Sequence, residues 1–312
     1  MKILVTGCMG FIGSNVVPSL LNSGHDVVGL DNLFQPSIRP TDRMKEISKG
    51  RWDAFKFYKG DIREHGVLET VFAHEGIDAV VHLAAVGSVP RSFSNPGLTT
   101  SVNIGGFVNV LTMAARFQVP RFVYASSSSV YGDSHRLMKT EGEEGNTLSP
   151  YALSKKMNEE FARIWAPAAH VNTVGLRFFN VYGPGQLPDS PYSAVIPRFI
   201  TAPPVVHGDG STTRDFTFVG DVARAIEFSL AYADKASTVV NVGTGVGTSL
   251  KKLLVYLEKT AKHQPERVGD IHYSIASVVK AKTEIGFEAE TKIEDGIKIT
   301  RAFYEKEATN GE

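Results

Sequence analysis

The sequence has only one cysteine, Cys8, and no net charge, because 33 lysines and arginines balance 33 aspartates and glutamates. A single cysteine excludes an intramolecular disulfide and fits a reducing compartment. The charge balance argues against nucleic acid or a membrane surface as partner, since either usually requires a basic excess or a basic stripe. No apolar run approaches the ~18 residues of a membrane span, and no charged leader of a secretory signal is visible. We therefore expect a cytoplasmic protein.

What the chain does contain is enough apolar sequence for a large core, with 42% hydrophobic residues among 312. Short β-rich runs alternate with segments long enough for crossover helices. The predicted strands are Lys2–Thr6, Val27–Leu30, Ala54–Tyr58, Ala79–Leu83 and Arg121–Ala125. This alternation predicts an α/β fold built on a Rossmann-type, doubly wound parallel sheet.

Three glycines, Gly7, Gly10 and Gly13, lie between the first predicted strand and the first predicted helix. The first permits a tight turn, the second lets backbone N–H groups approach a pyrophosphate, and the third lets the helix pack on the strand. Asp31, at the end of the second strand, can accept hydrogen bonds from an adenosine ribose and would repel a 2′-phosphate. The pattern predicts NAD rather than NADP as cofactor.

Tyr151 and Lys155 are four residues apart, so in a helix their side chains share one face about one turn apart. A tyrosine base near pH 7 needs its pKa lowered by about three units, or ~4 kcal/mol. The lysine ammonium and a positive nicotinamide ring are the charges that could supply this. Ser126 and the three serines after it follow a predicted strand, where ligands of open α/β sheets bind. For Ser128 and Ser129 a merely polar loop is an equal interpretation.

Eleven motifs span nearly the whole chain: Gly7-x-x-Gly10-x-x-Gly13, Asp31-Asn32, Gly60-Asp61-Ile62, His82-Leu83-Ala84-Ala85, Asn103, Ser126–Gly132, Tyr151–Lys155, Arg177–Pro184, Gly208-Asp209-Gly210, Arg214-Asp215-Phe216 and Arg267-x-Gly269-Asp270. In their order they resemble the extended short-chain dehydrogenases/reductases, within the NAD-dependent epimerase/dehydratase family. The similarity is greatest to UDP-glucose and UDP-N-acetylglucosamine 4-epimerases.

The resemblance implies that Tyr151 is the catalytic base, Lys155 its partner and ribose contact, and Ser127 the hydroxyl on the sugar O4. It implies an NAD site formed by Gly7, Gly10, Phe11, Ile12, Gly13, Asp31, Asn32, Asp61, Ile62, Leu83, Ala84, Ala85, Asn103, Ser126, Tyr151, Lys155 and Phe178. It also implies a UDP-sugar site formed by Ser88, Ser127, Asn180, Ala194, Val195, His207, Arg214, Arg267, Asp270 and Ser274.

Two of these assignments have alternatives. Arg214 and Arg267 resemble the arginines that bind the UDP phosphates, a task suited to guanidinium groups, but surface salt bridges would also explain them. His207 either stacks on uracil or is only a loop histidine. The nine histidines show no paired ligand spacing, so no metal site is predicted.

The pattern along the chain predicts the domain organisation, and the resemblance implies the oligomeric state. Residues 1–180 are expected to form the NAD-binding Rossmann domain, with a later segment, about 205–245, returning to it. Residues 181–312 are expected to be mainly the nucleotide-sugar-binding lobe, with helices near 219–232 and 249–262 and a polar tail from about Glu305. A homodimer is implied, with helices around 96–117 and 151–165 forming a four-helix bundle between subunits.

The two residues after Ser127 predict the type of reaction. Sugar 4,6-dehydratases carry an acidic pair there for elimination, whereas this chain has Ser128 and Ser129. This favours a 4-epimerase, in which the C4 hydride leaves to NAD and returns to the other face of a 4-keto sugar. The resemblance implies that Ser274, seven residues beyond Arg267, is a small gatekeeper with room for an N-acetyl group; the alternative is that it only begins the stretch before the next helix.

The predicted substrates are accordingly UDP-GlcNAc/UDP-GalNAc and/or UDP-Glc/UDP-Gal. UDP-glucuronate is an alternative, because residues 124–131 also resemble that epimerase branch. A non-catalytic NAD sensor is the competing class of protein. A sensor would need only the N-terminal half, however, and this chain also has Ser127, Tyr151, Lys155, Arg214 and Arg267.

Overall fold

The structure is a computed structural model that describes residues 1–188, 195–232, 237–266 and 272–310. The described residues form strands β1 to β15, which are, in chain order, Lys2–Thr6, Asp26–Asp31, Phe55–Lys59, Ala79–His82, Arg121–Ser127, Met138–Lys139, Asn172–Phe178, Val181–Tyr182, Val205–His207, Thr213–Arg214, Thr217–Phe218, Ser237–Val242, Thr248–Ser249, Lys262–Gln264 and Tyr273–Ala276.

Helices α1 to α11 are, in chain order, Gly13–Asn22, Pro40–Ile47, His65–Glu75, Val89–Ser94, Pro96–Thr100, Phe107–Arg116, Pro150–Trp165, Val195–Thr201, Val219–Ala231, Leu250–Tyr256 and Ile293–Asn310. Two 3₁₀ turns cover Trp52–Ala54 and Ser128–Tyr131. Two π-helical segments cover Ser101–Gly106, between α5 and α6, and Ala281–Ile285.

Seven strands form one parallel sheet in the order β12-β7-β5-β4-β1-β2-β3. The order reverses direction at β1, so a crevice opens at the carboxyl ends of β1 and β4, where such sheets bind ligands. The predicted doubly wound Rossmann fold is confirmed. All five predicted strands are present within a residue or two of their predicted ends.

The inner strands of the sheet, such as β1 and β4, are buried on both faces, as in parallel sheets generally. Along β1, Ile3 and Val5 pack in one apolar cluster with residues of α1 and α9. Leu4 points the other way, into a second cluster with residues of α3 and α6. This two-sided burial explains why β1 is a continuous apolar run rather than an alternating one.

Two strands of this sheet, β7 and β12, are absent from the sequence-based prediction. Each contains a buried polar residue that interrupts its apolar pattern, Arg177 in β7 and Asn241 in β12. β12 lies in the main sheet, and α9 packs on that sheet. The domain limits, 1–180 and 181–312 with a returning segment at about 205–245, stay a prediction.

The remaining strands form smaller sheets beside the carboxyl ends of the main one. One has four strands in the order β13-β10-β15-β6, and two pairs join β8 with β11 and β9 with β14. A separate apolar cluster around Tyr182, Ile196, Phe199 and Leu253 supports this region. The helix expected near 249–262 is shorter than predicted, because α10 ends at Tyr256 and Lys262–Gln264 is a strand.

The expected polar tail from about Glu305 forms the last part of α11, which continues to Asn310. Ile297 and Tyr304 on the preceding turns of this helix are buried, and Arg39 forms a 3.0 Å salt bridge with Glu307. These contacts hold the helix against the rest of the fold.

One helical stretch among the described residues, Pro96–Arg116, has the length and composition of a membrane span, and half of it is buried inside the fold. The sequence-based expectation did not foresee a stretch of this length. It arises because α5, the π-helical segment and α6 join into one run. A core helix of a globular protein meets the same criterion.

Candidate active site

The glycine loop leaves no space for side chains at its two ends. Gly7 has φ +71°, and a Cβ there would lie 2.7 Å from the backbone nitrogen of Ala84. A Cβ on Gly13 would lie 2.2 Å from the carbonyl oxygen of Gly7. Gly10 N–H donates to that same oxygen over 3.1 Å, which closes the turn immediately before α1. The loop is a bare backbone cradle at a helix N-terminus, the arrangement that binds a pyrophosphate.

Asp31 connects the cradle to the end of β2. Its Oδ2 accepts from the Met9 amide over 2.9 Å, and its Oδ1 accepts from the Leu33 amide over 2.7 Å. Burial raises the pKa of Asp31, and these backbone donors oppose that effect. The carboxylate lines the same crevice as Gly7 and Gly10. It is placed where the prediction puts the adenosine ribose.

Asp61 is held as a carboxylate by a neighbour that the sequence analysis did not single out. Arg63 donates from Nε to Oδ1 over 2.9 Å and from Nη2 to Oδ2 over 2.7 Å. Asn32 Nδ2 also donates to Oδ2, over 2.9 Å. These hydrogen bonds, with that of Arg63 the largest, lower the pKa of Asp61 to about 2. The two predicted residues therefore form one polar wall of the crevice.

Most predicted cofactor residues meet in this crevice and in the cleft that continues from it. The crevice is lined by Gly7, Gly10, Asp31, Asn32, Asp61, Ile62, Leu83, Ala84 and Ala85 among the predicted residues. Phe34, Gln35, Val86, Leu98 and Val102 line it as well, and the sequence analysis missed them. The continuing cleft adds Phe11, Ile12, Gly13, Ser126 and Phe178.

Asn103 is the exception among the predicted cofactor residues, because its side chain is used inside the protein. Its Oδ1 accepts from the Val86 amide over 2.8 Å, and its Nδ2 donates to Ser154 Oγ over 3.1 Å. Asn103 is buried and is not among the described residues that line the crevice or the cleft. It ties the segment after β4 to α7.

Tyr151 and Lys155 lie in the first turns of α7, whose start is specified locally. Ser149 caps the helix by accepting from the Ala152 amide over 3.1 Å, and Pro150 occupies the first turn. Lys155 Nζ donates to the Ala125 carbonyl over 2.8 Å and lies 6.0 Å from the centroid of the Tyr151 ring. Cap and spacing together place both side chains in the cleft at the end of β5.

The protonation of the pair follows from its surroundings. Burial lowers the pKa of Lys155 to about 8, and the Glu159 carboxylate opposes this shift. Lys155 therefore remains cationic at neutral pH. Burial raises the pKa of Tyr151, and a hydrogen bond from Ser127 opposes that rise. The serine favours the phenolate, against the cost of removing it from water.

The serines after β5 have different partners. Ser126 Oγ donates to Glu159 Oε1 over 2.5 Å, beneath the cleft. Ser127 Oγ caps the 3₁₀ turn by accepting from the Ser129 amide over 3.2 Å. Ser129 Oγ also donates to Ser127 Oγ, over 2.9 Å. The Ser129 hydroxyl therefore contacts the predicted catalytic serine, and both interpretations of Ser129 stay predictions.

A buried ion pair supports the floor of the cleft. Arg177 donates from Nε to Glu159 Oε1 over 2.9 Å and from Nη2 to Glu159 Oε2 over 2.8 Å. Its guanidinium carbon lies 4.9 Å from the centroid of the Tyr131 ring. Glu159 is four residues beyond Lys155, and that helical spacing was the signal that could have identified it.

The predicted substrate residues fall into two adjoining spaces. Ser88, Ser127, Asn180, Arg214 and Ser274 line the catalytic cleft. Asn180 and Arg214 also line a neighbouring pocket, together with Val195 and His207. The two spaces are thus continuous through these shared side chains.

Backbone contacts set the position of several of these side chains. Asn180 Nδ2 donates to the Asp215 carbonyl over 3.0 Å, and Arg214 Nη1 donates to the Thr213 carbonyl over 3.0 Å. His207 Nδ1 lies 3.1 Å from the Pro265 carbonyl oxygen, so its ring is oriented by the backbone. Three further predicted residues, Ala194, Arg267 and Asp270, lie outside the described residues.

Comparison with known proteins agrees with this geometry. The model of the NAD dependent epimerase/dehydratase family matches residues 3–243. A putative UDP-glucose 4-epimerase of Methanocaldococcus jannaschii is 33% identical over 308 residues, covering 95% of this chain and 96% of the relative. A UDP-glucuronate 4-epimerase of Thermodesulfobacterium geofontis is also 33% identical over 308 residues, covering 95% and 94%.

Two solved structures are similar over nearly their whole length. The UDP-glucose 4-epimerase of Thermotoga maritima with UDP-glucose has a TM-score of 0.90 and 31% identity, covering 99% of this chain and 100% of that one. MoeE5 in complex with UDP-glucuronic acid and NAD has a TM-score of 0.85 and 31% identity, covering 98% and 100%. The chain therefore belongs to the NAD-dependent epimerase/dehydratase family.

Proposed function

We propose that the protein is a UDP-sugar 4-epimerase that inverts C4 of UDP-GlcNAc/UDP-GalNAc and/or UDP-Glc/UDP-Gal. The observation that carries the proposal is a single cleft lined by the glycine loop, by Ser127, Tyr151 and Lys155, and by Arg214. The cofactor cradle, the acid–base pair and a guanidinium for phosphate are thus continuous. The names of the similar proteins support the same reaction.

The residues present fit NAD. The glycine loop is a cradle that a Cβ at Gly7 or Gly13 would fill, and the Asp31 carboxylate lies beyond it on the adenosine side. The apolar Phe178 and Leu83 line the inner part of the cleft. When bound, NAD supplies the acceptor and then the donor of the C4 hydride.

The chain's own residues handle the proton on O4. Ser127 donates a hydrogen bond to O4, and the Tyr151 phenolate removes its proton. The Lys155 ammonium stabilises that phenolate from below. Arg214 holds the diphosphate while the sugar turns, and Tyr151 returns the proton after the hydride has been added to the other face.

The surroundings of O4 favour epimerisation over dehydration. Among the described residues that line the catalytic cleft, none is aspartate or glutamate. Elimination of water needs a carboxylate acid or base near the sugar. Removing a hydride from C4 and returning it needs only the tyrosine as the acid and base for the O4 proton. The serines at 128 and 129 occupy the places where a dehydratase would carry its acidic pair.

The sugar preference is inferred from Ser274. It lies on β15, in register with Arg214 on β10, and it lines the catalytic cleft. Its short side chain leaves room for an N-acetyl group. UDP-glucuronate is the second candidate, because a relative and a similar structure are named with that sugar. A non-catalytic NAD sensor would not need Arg214 or Ser274 in the cleft.

The proposal is tested by incubating the purified protein separately with UDP-N-acetylglucosamine, UDP-glucose and UDP-glucuronate, without added reductant. The anomeric and C4 proton signals are followed by NMR. We expect a C4-inverted sugar without net NADH, formed faster from the first two substrates. Fastest inversion of UDP-glucuronate would establish the second candidate instead. No inversion of any of the three by the NAD-bound protein would overturn the epimerase proposal.

Asp31 should set the preference for NAD. With Asp31→Ser, the carboxylate that would repel a 2′-phosphate is gone, and the affinity for NADP relative to NAD is expected to rise about tenfold or more. Competitive titration of the two cofactors measures the ratio. Asp26→Ser, at the exposed start of the same strand, is the matched control and should leave the ratio unchanged. An unaltered ratio in Asp31→Ser would contradict this role.

We also propose a cytoplasmic homodimer. On α7, Leu153, Met157 and Ile164 are 49%, 45% and 67% exposed, and their spacing of four and seven residues places them on one helix face. An exposed apolar face of this kind fits a second copy of the same helix, as the family resemblance implies. The cytoplasmic location rests on the one cysteine, Cys8, which is free and buried.

A further inference from the structure

The hydroxyl of Ser127 has an unusually restricted hydrogen-bonding environment. A serine hydroxyl has two acceptor lone pairs and one proton to donate. Ser129 engages both lone pairs of Ser127 Oγ, with its amide at 3.2 Å and its own hydroxyl at 2.9 Å. Only the proton of the Ser127 hydroxyl is then available for a further hydrogen bond.

The cleft offers that proton a partner. Ser127 and Tyr151 both line the cleft, and Ser127 lowers the pKa of Tyr151 against the effect of burial. Because the Ser127 lone pairs are engaged by Ser129, Ser127 acts as a donor toward the phenolic oxygen. The three side chains form a directed chain from Ser129 through Ser127 to Tyr151.

Ser129, the first donor in this series of hydrogen bonds, is held rigidly. Ser129 lies in the 3₁₀ turn Ser128–Tyr131, whose last residue, Tyr131, is 2% exposed. The Tyr131 hydroxyl donates to Asn241 Oδ1 over 2.7 Å, and Arg177 lies over its ring. The turn is thereby fixed to β12 and β7, so Ser129 cannot easily turn away from Ser127.

We propose that Ser129 is a positioning residue, whose amide and hydroxyl engage both lone pairs of Ser127 Oγ and so direct the Ser127 proton at the oxygen that Tyr151 or the sugar O4 presents. The proposal rests on the proposed epimerase function. It assigns Ser129 no contact with the substrate. Its effect is on the Tyr151 phenolate, which accepts a hydrogen bond of fixed direction and is stabilised relative to the phenol.

The test compares Ser129→Val with Ser129→Thr, which have nearly the same shape and differ by the hydroxyl. Ser129→Ala is a third variant, and Ser128→Ala is the neighbouring control, since the Ser128 hydroxyl makes no hydrogen bond to the described residues. All are made in the full chain with NAD bound. The variants are first compared by thermal unfolding to confirm that they fold.

The primary readout is the ionisation of Tyr151, which does not depend on any substrate. It is measured as the tyrosinate difference absorbance near 295 nm against Tyr151→Phe, as a function of pH. Ser129→Val and Ser129→Ala are expected to move the midpoint up by about half to one pH unit, since one hydrogen bond is lost. Ser129→Thr and Ser128→Ala are expected to keep the wild-type midpoint.

The second readout is turnover. Loss of the Ser129 hydroxyl is expected to lower kcat about tenfold at neutral pH, with KM changed less than twofold and with recovery in Ser129→Thr. A wild-type Tyr151 midpoint in both Ser129→Val and Ser129→Ala would overturn the proposal, whatever their activity. If no UDP-sugar is turned over by the wild type, the epimerase function fails, and the titration still decides the role of Ser129.

Discussion

Replacing Tyr151 with phenylalanine is expected to lower kcat at least about 10³-fold while leaving NAD bound. The substitution removes one oxygen and keeps the ring beside Lys155, so the cleft keeps its shape. General acid–base catalysis by a positioned group typically contributes 10²–10⁴-fold, and in the proposed mechanism one group both removes and returns the proton. The measurement is the rate of C4 inversion by NMR, with NAD binding followed by titration.

The matched control is Tyr256→Phe, on α10 and outside the catalytic cleft. It should keep kcat within about twofold of wild type. Retention of more than a tenth of the activity in Tyr151→Phe would show that another group moves the proton. Loss of NAD binding in that variant would instead show that the phenol holds the cofactor rather than the substrate proton.

Gly13→Ala is expected to abolish NAD binding and to destabilise the fold. The new Cβ would lie 2.2 Å from the Gly7 carbonyl oxygen and 2.7 Å from the Cys8 Cα, and both are backbone atoms that cannot rotate away. Forcing extra volume into a packed site usually costs about 1–3 kcal/mol. Because the displaced atoms form the cradle itself, affinity for NAD should fall by about 100-fold or more. Calorimetric titration and thermal unfolding measure the two effects.

Gly66→Ala is the control, because nothing lies within 4 Å of a Cβ at that helical glycine. It should bind NAD as the wild type does, and it should be equally stable or more stable by up to about 1 kcal/mol, the usual gain in a helix. Normal NAD affinity in Gly13→Ala would mean that the loop can open without loss of the cradle, contrary to the close packing of its backbone.

Two of the strands that could be predicted from sequence, β1 and β4, contain uninterrupted apolar runs. Apart from Lys2, Thr6 and His82 at their ends their residues are aliphatic, and those aliphatic residues are buried. In β7 the run is broken by Arg177, which is tolerated because Glu159, distant in sequence, neutralises it. Asn241 breaks β12 in the same way and is satisfied by Tyr131 and by the Lys139 carbonyl. A strand that contains polar residues with such distant partners cannot be recognised from the hydrophobic pattern of its own residues.

The same reasoning applies to the candidate site. The glycine loop and the Tyr151–Lys155 pair are local motifs, so their spacing alone was enough to predict them. Arg63 was missed and Ser129 was left with two equal interpretations, because the role of each depends on which atom its side chain reaches after folding. The helical end of the chain could have been predicted, since Ile293, Ile297 and Tyr304 recur at helical intervals.

The return of β12 to the main sheet makes the whole chain one cooperative folding unit. Removing everything after residue 180 would leave β7 as a bare edge strand and would uncover the apolar side chains that face α9. The residues before position 180 therefore cannot be separated from those after it by a single cut of the chain. A truncation would remove β12, the edge strand next to β7, so both parts of the chain fold and unfold together.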